Sequence, residues 1–388
     1  MIYLNHAATS YPKPQCVLDA YTAALAAPPA GQFRSSGSDQ TNDIFTRCRS
    51  ALGHLLGIAD SERIFFSSGA TDSLNQILSG LQIPAAQIIT TATEHNSVLR
   101  PLYNLPGVAA APDASGRAGA GPVIIPCDRF GSVSPAQIEA AITPAIRAII
   151  LNHCSNVTGC IQDAAAVGDI AARHGLYFIL DCSQSAGVIP IQADDWNVAA
   201  LAFTGHKGLH GIQGTGGFYL RKNLPCYPVR FGGTGRDSSK LVYQRGEEEY
   251  EVGTQNACGI AALYAGVNDI LSCGVDVIEA KELLMMQTLY ETLQQLPGIR
   301  LYGDIRHNRG PVLSFNIKGM KPSDVSYILQ NGYDIVTRTG LHCAPLIHKY
   351  IGSGPEGTVR VSISDKTTSA EMNAFLNAIS EITACQSI

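Results

Sequence analysis

Three stretches in the first half of the sequence carry residue types that together fit one reaction chemistry. Ser67-Ser68-Gly69-Ala70-Thr71 follows an apolar run and opens a helical pattern, so its free backbone N–H groups and hydroxyls can hold a phosphate. Asp181 ends another apolar run, where a buried carboxylate needs a partner such as a protonated ring nitrogen. Lys207 lies among residues of low polarity, which can lower the pKa of its amine and free it to form a Schiff base with an aldehyde.

Alone, each of these stretches has an ordinary structural interpretation. Residues 67–71 suit a helix cap, Asp181 suits a cap or a buried ion pair, and most lysines are solvated surface residues. Occurring together, they match pyridoxal 5'-phosphate (PLP), which offers a phosphate, a ring nitrogen and an aldehyde. A nicotinamide cofactor is not indicated, because Gly214-Thr215-Gly216-Gly217 lacks the third glycine of the dinucleotide-binding fingerprint.

The elements that must position these residues follow from short apolar runs that alternate with helical periodicity between residues 50 and 205. This alternation predicts an α/β fold with a mainly parallel sheet and with ligands at the carboxyl ends of its strands. Strands are predicted at residues 63–66, 87–91, 123–126, 148–152, 177–181, 200–204, 312–317 and 358–363. Helices are predicted at residues 72–81, 97–105, 135–142, 164–173, 259–272 and 276–296, and a surface loop at residues 106–121.

Length, charge and cysteine usage limit the class of protein. A chain of 388 residues is long enough for two domains, and 45% hydrophobic against 15% charged residues indicates a compact globular protein. The net charge of -5, without a basic run, argues against a nucleic-acid partner. No apolar run is long enough to span a membrane, and the N-terminus does not have the pattern of a secretion signal. Eleven cysteines without C-x-x-C spacing predict a reducing, cytoplasmic location and no metal site.

Motifs along nearly the whole chain resemble those of class V aminotransferase-fold PLP enzymes, in the cysteine desulfurase and selenocysteine lyase group. The resemblance runs from Asn5-His6-Ala7-Ala8-Thr9 to Val359-Arg360-Val361-Ser362. It implies the PLP-dependent transferase fold type I, the fold of aspartate aminotransferase, with a mainly parallel sheet in a large domain and a smaller α+β C-terminal domain. The expected limits are an N-terminal segment at 1–15, the large domain at 16–258 and the small domain at 259–388.

The resemblance also implies which residues bind the cofactor. Lys207 is expected to bind its aldehyde carbon, Asp181 its ring nitrogen and Gln184 its ring hydroxyl oxygen. His95 is expected to stack on the ring, although a strand-end histidine bonded to the backbone is the ordinary alternative. The backbone of Ala70 and Thr71, the side chains of Thr204 and His206, and Thr254 of a partner subunit are expected around the phosphate. A homodimer follows from the role of Thr254.

The segment Arg338-Thr339-Gly340-Leu341-His342-Cys343-Ala344 resembles the family's catalytic cysteine loop in its shorter form. Cys343 is then expected to accept sulfur from the substrate as a persulfide and to leave alanine, with a charge on His342 or on an arginine favouring the thiolate. For substrate binding, the resemblance assigns Arg360 to the carboxylate and Asn156 to both substrate and ring. Arg338 and Arg34 are further substrate-binding candidates.

The sequence departs from the family pattern at three places and leaves several functions open. Leu341 replaces a frequent histidine, residues 352–357 insert a Gly-Ser-Pro stretch, and residues 365–368 differ from the usual aromatic and asparagine-rich run. The expected substrate is L-cysteine or L-selenocysteine, with a protein as a sulfur acceptor. A cystine or cysteine β-lyase that releases pyruvate, and a non-catalytic sulfur-carrier protein, remain the alternatives.

Overall fold

The computed structural model describes residues 1–28, 43–106, 121–233, 239–242, 249–305 and 309–385. The strands are β1 (Ile2–Tyr3), β2 (Ile64–Ser67), β3 (Ile88–Thr91), β4 (Val123–Ile125), β5 (Ala148–Asn152), β6 (Tyr177–Asp181), β7 (Val198–Thr204), β8 (Gly216–Leu220), β9 (Ile299–Tyr302), β10 (Val312–Ile317), β11 (Ile335–Val336), β12 (Arg338–Gly340) and β13 (Thr358–Ser362). The helices are α1 (Gln15–Ala26), α2 (Ile44–Leu56), α3 (Ala70–Gly80), α4 (Asn96–Tyr103), α5 (Pro135–Ala140), α6 (Ala164–Arg173), α7 (Ala257–Cys273), α8 (Val275–Gln295), α9 (Pro322–Tyr333), α10 (Ile347–Ile351) and α11 (Ser369–Ala384).

A seven-stranded sheet with the order β2-β8-β7-β6-β5-β3-β4 forms the centre of the larger part. Its strands from β7 through β6, β5 and β3 to β4 pair in parallel, and β8 pairs antiparallel with both β7 and β2. Separate apolar cores cover the two faces of this sheet. β5 and β6 consist almost wholly of buried residues, as expected for strands covered on both faces.

The sequence analysis did not predict β8, and close backbone packing explains why its residues look unlike a strand. A Cβ atom on Gly216 would lie 2.5 Å from Cα of Gly69, and one on Gly217 would lie 2.5 Å from the carbonyl oxygen of Phe65. Glycine therefore lets β8 lie between β2 and β7, although glycine is depleted in strands in general.

A second sheet with the order β12-β13-β10-β9 packs with α8, α9 and α11 around a core of its own. β1 at the N-terminus pairs with β11, and Asn5 forms a bridge with Ser362, so the first residues pack on this part. Side chains of α7 pack in a core of the large sheet, including Leu263 and Val267, and α8 leads on to the second sheet. The domain limits at residues 15 and 258 stay a prediction.

No single helix among the described residues is long and apolar enough to cross a bilayer. α7 and α8 meet the length and composition requirement only as a pair, and that pair is bent by 80°.

Candidate active site

A cleft of about 190 Å3, measured as space open to the centre of a water molecule, lies at the carboxyl ends of the central strands. Nine of the ten residues predicted to bind the cofactor line it: Ala70, Thr71, His95, Asn156, Asp181, Gln184, Thr204, His206 and Lys207. They lie at the ends of β6 and β7 or in the segments that directly follow β2, β3, β5, β6 and β7. The topology of the sheet brings them together, since the parallel strands end at the same edge.

Asp181 lies at the end of β6 with 2% of its surface exposed. Its Oδ1 accepts hydrogen bonds from the backbone N–H of Ser183 at 2.9 Å and from the Ser183 hydroxyl. One oxygen thus caps the following turn, as the ordinary interpretation of this residue predicts. The carboxylate also lines the cleft, where it can bind a cationic ring nitrogen.

Lys207 lies half-buried in the segment that follows β7. Burial lowers the pKa of its amine to about 8, while the negative charge of Asp181 acts in the opposite direction. His206 directly precedes Lys207 in the chain. Its carbonyl group accepts hydrogen bonds from the backbone N–H of Ser10 (2.9 Å), Oγ1 of Thr9 (3.0 Å) and Nζ of Lys13 (3.1 Å). The N-terminal segment therefore fixes the backbone next to the reactive lysine.

The N-terminus of α3 forms the other end of the cleft. Gly69, its N-cap, has a φ of +146°, a conformation that favours glycine, and it supplies no side-chain cap to the first-turn N–H groups. Thr204 and His206 lie on the same wall. Asp72 adds a carboxylate there, but an ion pair with Arg230 at 2.5 Å offsets its charge. A phosphate at this position meets free donors and the positive end of the helix dipole.

The structure shows His95 bonded to the backbone at a strand end, and its predicted stacking on the cofactor ring stays a prediction. As N-cap of α4 it accepts a hydrogen bond from the backbone N–H of Ser97 at Nδ1 (3.0 Å), so the ring proton lies on Nε2. Burial, together with the charge of Lys207, lowers the pKa of His95 to about 4. The ring is therefore neutral at pH 7 and lines the cleft as a flat surface.

Cys343 lies in a loop that we call the cysteine loop, residues 341–343. Three consecutive carbonyl groups of this loop each accept a hydrogen bond from another segment: Leu341 from Nε2 of His348 (3.1 Å), His342 from Nδ2 of Asn156 (2.6 Å) and Cys343 from the backbone N–H of Asn96 (2.7 Å). His342 and Cys343 have φ angles of +50° and +60°, which side chains other than glycine rarely adopt. The loop is held in a strained backbone conformation by contacts with distant residues.

The inserted stretch at residues 352–357 supports this loop. Gly352 ends α10, and Ser353 hydrogen bonds to His348 (2.6 Å), the residue that holds the Leu341 carbonyl. Gly357 returns the chain so close to the Gly340 carbonyl group that a Cβ atom would overlap with it. The glycines of the insertion are therefore required by the path of the chain.

Arg338, and not His342, supplies the positive charge next to the reactive cysteine. Nη2 of Arg338 donates a hydrogen bond to Sγ of Cys343 at 3.2 Å. Burial and the nearby charge of Arg360 lower the pKa of His342 to about 2, and its Nε2 bonds to Oγ1 of Thr358 at 2.9 Å. The expectation that a charged His342 assists the thiolate is therefore wrong, because the buried ring stays neutral. The guanidinium of Arg338 therefore places a permanent positive charge in contact with the Cys343 sulfur.

Arg360 is buried between the cleft and the second sheet, with 1% of its surface exposed. Nη1 donates to the Asn156 carbonyl (3.0 Å) and Nη2 to Oδ1 of Asn5 (3.1 Å), and Nε has no partner among the described residues. These bonds fix the plane of the guanidinium, so it can present remaining N–H donors to a carboxylate.

Of the predicted site residues that the structure describes, Thr254, Arg338, Cys343 and Arg360 are not among those that line the cleft. Arg338, Cys343 and Arg360 nevertheless lie within electrostatic reach of Lys207. Thr254 is exposed and lies in a separate hollow with Arg230 and Glu251, which adjoins the cleft at Ser68. This position leaves it free to act on a second copy of the chain. Arg34 lies outside the described residues.

Several residues of the site were not assigned from the sequence. Asn5 acts through Arg360, which is 355 residues away in sequence. His348, on α10, acts through the Leu341 carbonyl of the cysteine loop, seven residues away. Glu94, next to His95, is fully buried, and burial raises its pKa to about 8. It accepts hydrogen bonds from Thr91 (2.8 Å) and from the backbone N–H of Asn152 (3.0 Å). The sequence feature that could have identified Glu94 is an acidic residue in a turn directly after a buried strand.

The residues of the cleft fit PLP. Nδ1 of His206 and Oδ1 of Asn156 are buried and have no hydrogen-bond partner within the described part of the chain, so both are available to a ligand. A phosphate fits the α3 end, a ring nitrogen fits Asp181, and an aldehyde fits Lys207. No group of three or more His, Cys, Asp or Glu side chains in the described ranges has an arrangement that can hold a metal ion.

Comparisons with known proteins agree over almost the whole chain. The family model for class V aminotransferases matches residues 2–375. A probable cysteine desulfurase from Methanothermobacter thermautotrophicus is 30% identical over 331 residues, covering 84% of this chain and 80% of that protein. The apo structure of a cysteine desulfurase from Thermococcus onnurineus has a TM-score of 0.83 at 27% identity, covering 99% of this chain and 94% of that one. A cysteine desulfurase from Escherichia coli has a TM-score of 0.82 at 25% identity, with coverages of 98% and 94%. These neighbours confirm the predicted fold class.

Proposed function

Because this chain belongs to the class V aminotransferase family, as its sequence motifs predicted, we propose that it is a PLP-dependent cysteine desulfurase. It converts L-cysteine to L-alanine and transfers the sulfur to Cys343 as a persulfide. One observation carries the proposal above all: Arg338 holds the Cys343 sulfur at 3.2 Å, and both residues lie within electrostatic reach of Lys207. A reactive thiol and a buried amine thus serve one cleft.

The side chains of the cleft bind and orient the two small molecules. Asp181 binds the ring nitrogen of PLP, the α3 N-terminus with Thr204 and His206 binds its phosphate, and His95 covers its ring. When bound, PLP supplies an electron sink for bonds broken at the substrate α-carbon. Gln184 donates from Nε2 to the Ala7 carbonyl at 3.1 Å, which leaves its amide oxygen to the ring side of the cleft.

Arg360, Lys207 and Cys343 carry out the remaining steps, which are substrate binding, proton transfer and sulfur transfer. Arg360 binds the substrate carboxylate with N–H donors that Asn5 and Asn156 leave free. Lys207, whose lowered pKa provides a share of free amine near neutral pH, takes the proton from the substrate α-carbon at Nζ.

The Cys343 thiolate then attacks the substrate sulfur. A sulfur–sulfur bond forms while the carbon–sulfur bond breaks, and the electron pair of the broken bond stays with the carbon. The sulfur is oxidised, the β-carbon is reduced and becomes the methyl group of alanine after protonation, and no external oxidant is needed.

The proposal extends to assembly and to location. A homodimer is supported by Thr254, which is exposed beside the cleft, and by the exposed apolar side chains of Phe231 (83%), Leu241 (94%) and Val242 (77%). A reducing, cytoplasmic setting is supported by cysteines that are all free. A protein acceptor that takes sulfur from Cys343 completes the cycle.

Two related functions are distinguished by their products. A selenocysteine lyase uses the same residues and is distinguished by faster turnover of L-selenocysteine. A β-lyase releases pyruvate and ammonia and does not need Cys343. The bonding of the Cys343 sulfur to Arg338 favours a desulfurase or a selenocysteine lyase over a β-lyase, since a β-lyase does not need a thiol at this position.

The test uses purified holoenzyme, L-cysteine and a reductant, with alanine, pyruvate and sulfide measured in the same reaction. Equal amounts of alanine and sulfide are expected. Cys343→Ala should keep the absorbance of bound PLP and lose alanine formation, whereas Cys385→Ala, which changes an exposed cysteine, should behave as wild type. Pyruvate as the main product, or full activity of Cys343→Ala, would refute the desulfurase function.

A further inference from the structure

A buried ion pair lies beside the strand that leads to the N-terminus of α3, where the phosphate fits. Nη2 of Arg49, on α2, donates to Oε2 of Glu251 at 2.6 Å, and the two side chains are only 11% and 15% exposed. Glu251 lines the hollow that adjoins the cleft at Ser68. Removing an ion pair from water costs free energy, and only good contacts of the charged groups offset that cost.

The ion pair takes the place of a neighbouring strand along the outer edge of β2. β2 is the last strand of the seven-stranded sheet, and its inner edge pairs with β8. On the outer edge, Oε1 of Glu251 accepts a hydrogen bond from the backbone N–H of Phe66 at 2.6 Å. Nε of Arg49 donates to the Ile64 carbonyl at 2.8 Å. Because Ile64 and Phe66 are two residues apart, these are the groups that a further strand would pair.

Both members of the pair are packed against the strand that they hold. The guanidinium of Arg49 lies over the ring of Phe66, 5.0 Å from its centre. Tyr250, directly before Glu251, is 5% exposed, and its ring centre lies 4.6 Å from that of Phe65. These contacts fix the backbone at Glu251, so its carboxylate holds Phe66 from a rigid position.

Hydrogen bonds extend this fixed position into the turn between β2 and α3. Ser67 follows Phe66, and its hydroxyl accepts a hydrogen bond from the N–H of Gly69 at 3.2 Å and lies 3.1 Å from the Gly69 carbonyl oxygen. The same hydroxyl contacts Oγ of Ser73, on the first turns of α3, at 2.8 Å. Gly69 is the N-cap of α3, so its position sets the direction of the first-turn N–H groups.

We propose that Glu251, held by Arg49, is a positioning residue which sets the N-terminus of α3 in the geometry that binds the phosphate of PLP. Glu251 lines the adjoining hollow and is not among the residues that line the cleft, so it acts through Phe66 and the turn rather than by touching the cofactor. The inference rests on the proposed function, since it assumes that PLP binds in this cleft.

The negative charge of Glu251 gives the proposal a sign that can be tested. A carboxylate near a phosphate dianion repels it, so by electrostatics alone the loss of this charge tightens the binding of PLP. Loss of positioning has the opposite effect, because hydrogen bonds from displaced N–H groups are longer or less well aligned. Weaker binding of PLP after removal of a negative charge therefore identifies positioning.

The test compares PLP with pyridoxal, which has the same ring and aldehyde but lacks the phosphate. Each compound is titrated into the full-length protein freed of cofactor, and the absorbance of the lysine-bound form reports binding. Glu251→Gln should weaken PLP binding by about tenfold, the effect of losing about one hydrogen bond, and change pyridoxal binding by at most about twofold. Glu62→Gln, which changes an exposed glutamate just before β2, should match wild type.

Glu251→Asp is the second variant, because Glu251→Gln leaves Arg49 buried without a countercharge and can prevent folding. Aspartate keeps the negative charge but is one methylene shorter, so it cannot reach Arg49 and the Phe66 N–H together. PLP binding should again weaken while pyridoxal binding stays close to that of wild type. Because the charge is unchanged, this loss has no electrostatic explanation.

Three results overturn the proposal. Unchanged or tighter PLP binding in the folded variants shows that Glu251 does not position the phosphate site. Equal weakening of PLP and pyridoxal shows a general structural role instead of one directed at the phosphate. A wild-type protein that binds neither compound at Lys207 refutes the proposed PLP function itself, and this result is distinct from the other two because it appears before any residue is changed.

Discussion

The PLP end of the cleft and the cysteine loop are built in opposite ways. At the PLP end, residues such as Asp181 and His95 follow strands of one sheet and are held by neighbours two residues away in sequence. The cysteine loop has few local bonds of this kind. Its carbonyl groups depend on Asn96, Asn156 and His348, and two of its residues have left-handed backbone angles.

This difference separates two kinds of positioning. A side chain at the end of a strand takes its position when the central sheet forms. Cofactor binding should therefore tolerate substitutions in the second sheet. The strained loop keeps its shape only while distant segments hold it, so sulfur transfer should be the more sensitive activity. The four predictions below test that contrast, beginning with the largest expected effect.

Lys207→Ala should abolish both functions of the cleft. The variant lacks the amine that binds the PLP aldehyde and takes the substrate proton, so alanine formation should fall by at least about 10^3-fold. The absorbance of the lysine-bound cofactor should disappear as well. Lys222→Ala removes an exposed lysine near the end of β8 and should leave both readings unchanged. An unaltered spectrum for Lys207→Ala contradicts the cofactor assignment.

Arg360→Lys tests the residue that joins the two regions. Lysine cannot reproduce the planar contacts to Asn5 and Asn156 and also bind a carboxylate, so kcat/KM for L-cysteine should fall by about 10^2-fold, mainly through KM. PLP absorbance should stay intact. Arg221→Lys, at an exposed position, is the matched control. If Arg360→Lys weakened only cofactor binding, Arg360 would belong to the PLP end of the cleft, and its assignment to the substrate carboxylate would be wrong.

His348→Phe tests the support of the cysteine loop directly. The variant keeps an aromatic ring but loses the donor to the Leu341 carbonyl, and we expect alanine formation to fall by about tenfold with PLP absorbance unchanged. Alkylation of Cys343 by iodoacetamide should slow as the thiol leaves Arg338. Ser353→Ala, which removes only the hydroxyl that bonds to the far side of the ring, should show a smaller effect.

The smallest effect is a difference in pH dependence between His342 and His95. Both pKa values are lowered from 6.5, to about 2 for His342 and about 4 for His95, so the unfolded chain binds more protons than the folded one below pH 6.5. Each group therefore removes about 1.4 kcal/mol from the free energy of unfolding per pH unit as pH falls, and this loss ends near the folded pKa.

Urea unfolding of His342→Asn and His95→Asn at pH 7, 6, 5 and 4 measures these slopes. Each variant should lose less stability with falling pH than wild type. The advantage of His95→Asn should stop growing near pH 4, while that of His342→Asn should still increase there. Parallel curves for wild type and His342→Asn would show that this ring protonates freely in the folded loop.

Much of the cofactor end could be predicted from sequence because its signals are local. β5 and β6 were predicted with the bounds that the structure shows, and the polar residues after the strands mark the cleft. β8 was not predicted, since Gly216 and Gly217 serve backbone contacts and carry no strand-like side chains. In the same way, nothing in the residue order of the cysteine loop shows that His342 is buried and neutral.

A small cavity between the Lys207 segment and the second sheet shows the limit of local signals most clearly. His6, His210, Glu282 and Asp365 are far apart in sequence, and only the tertiary structure brings them to one space. Asp365 was noted as a departure from the family pattern, but its partner on α8 is one acidic residue among several on that helix. Contacts of this kind form when separate parts of the chain pack together, and they cannot be inferred from the residue types and spacing within one segment.

The hydrogen bond between Asn5 and Arg360 joins residues that are 355 positions apart in sequence, and this separation sets an order for biosynthesis. The ribosome has released all strands of the sheet that carries the PLP end of the cleft once β8 has emerged, whereas Arg360, on β13, emerges only after α7, α8 and α9. Contacts of such long sequence separation form late and slowly in folding. The nascent protein can therefore acquire its cofactor pocket before the substrate site exists, so premature turnover on an unfinished chain is prevented by topology alone.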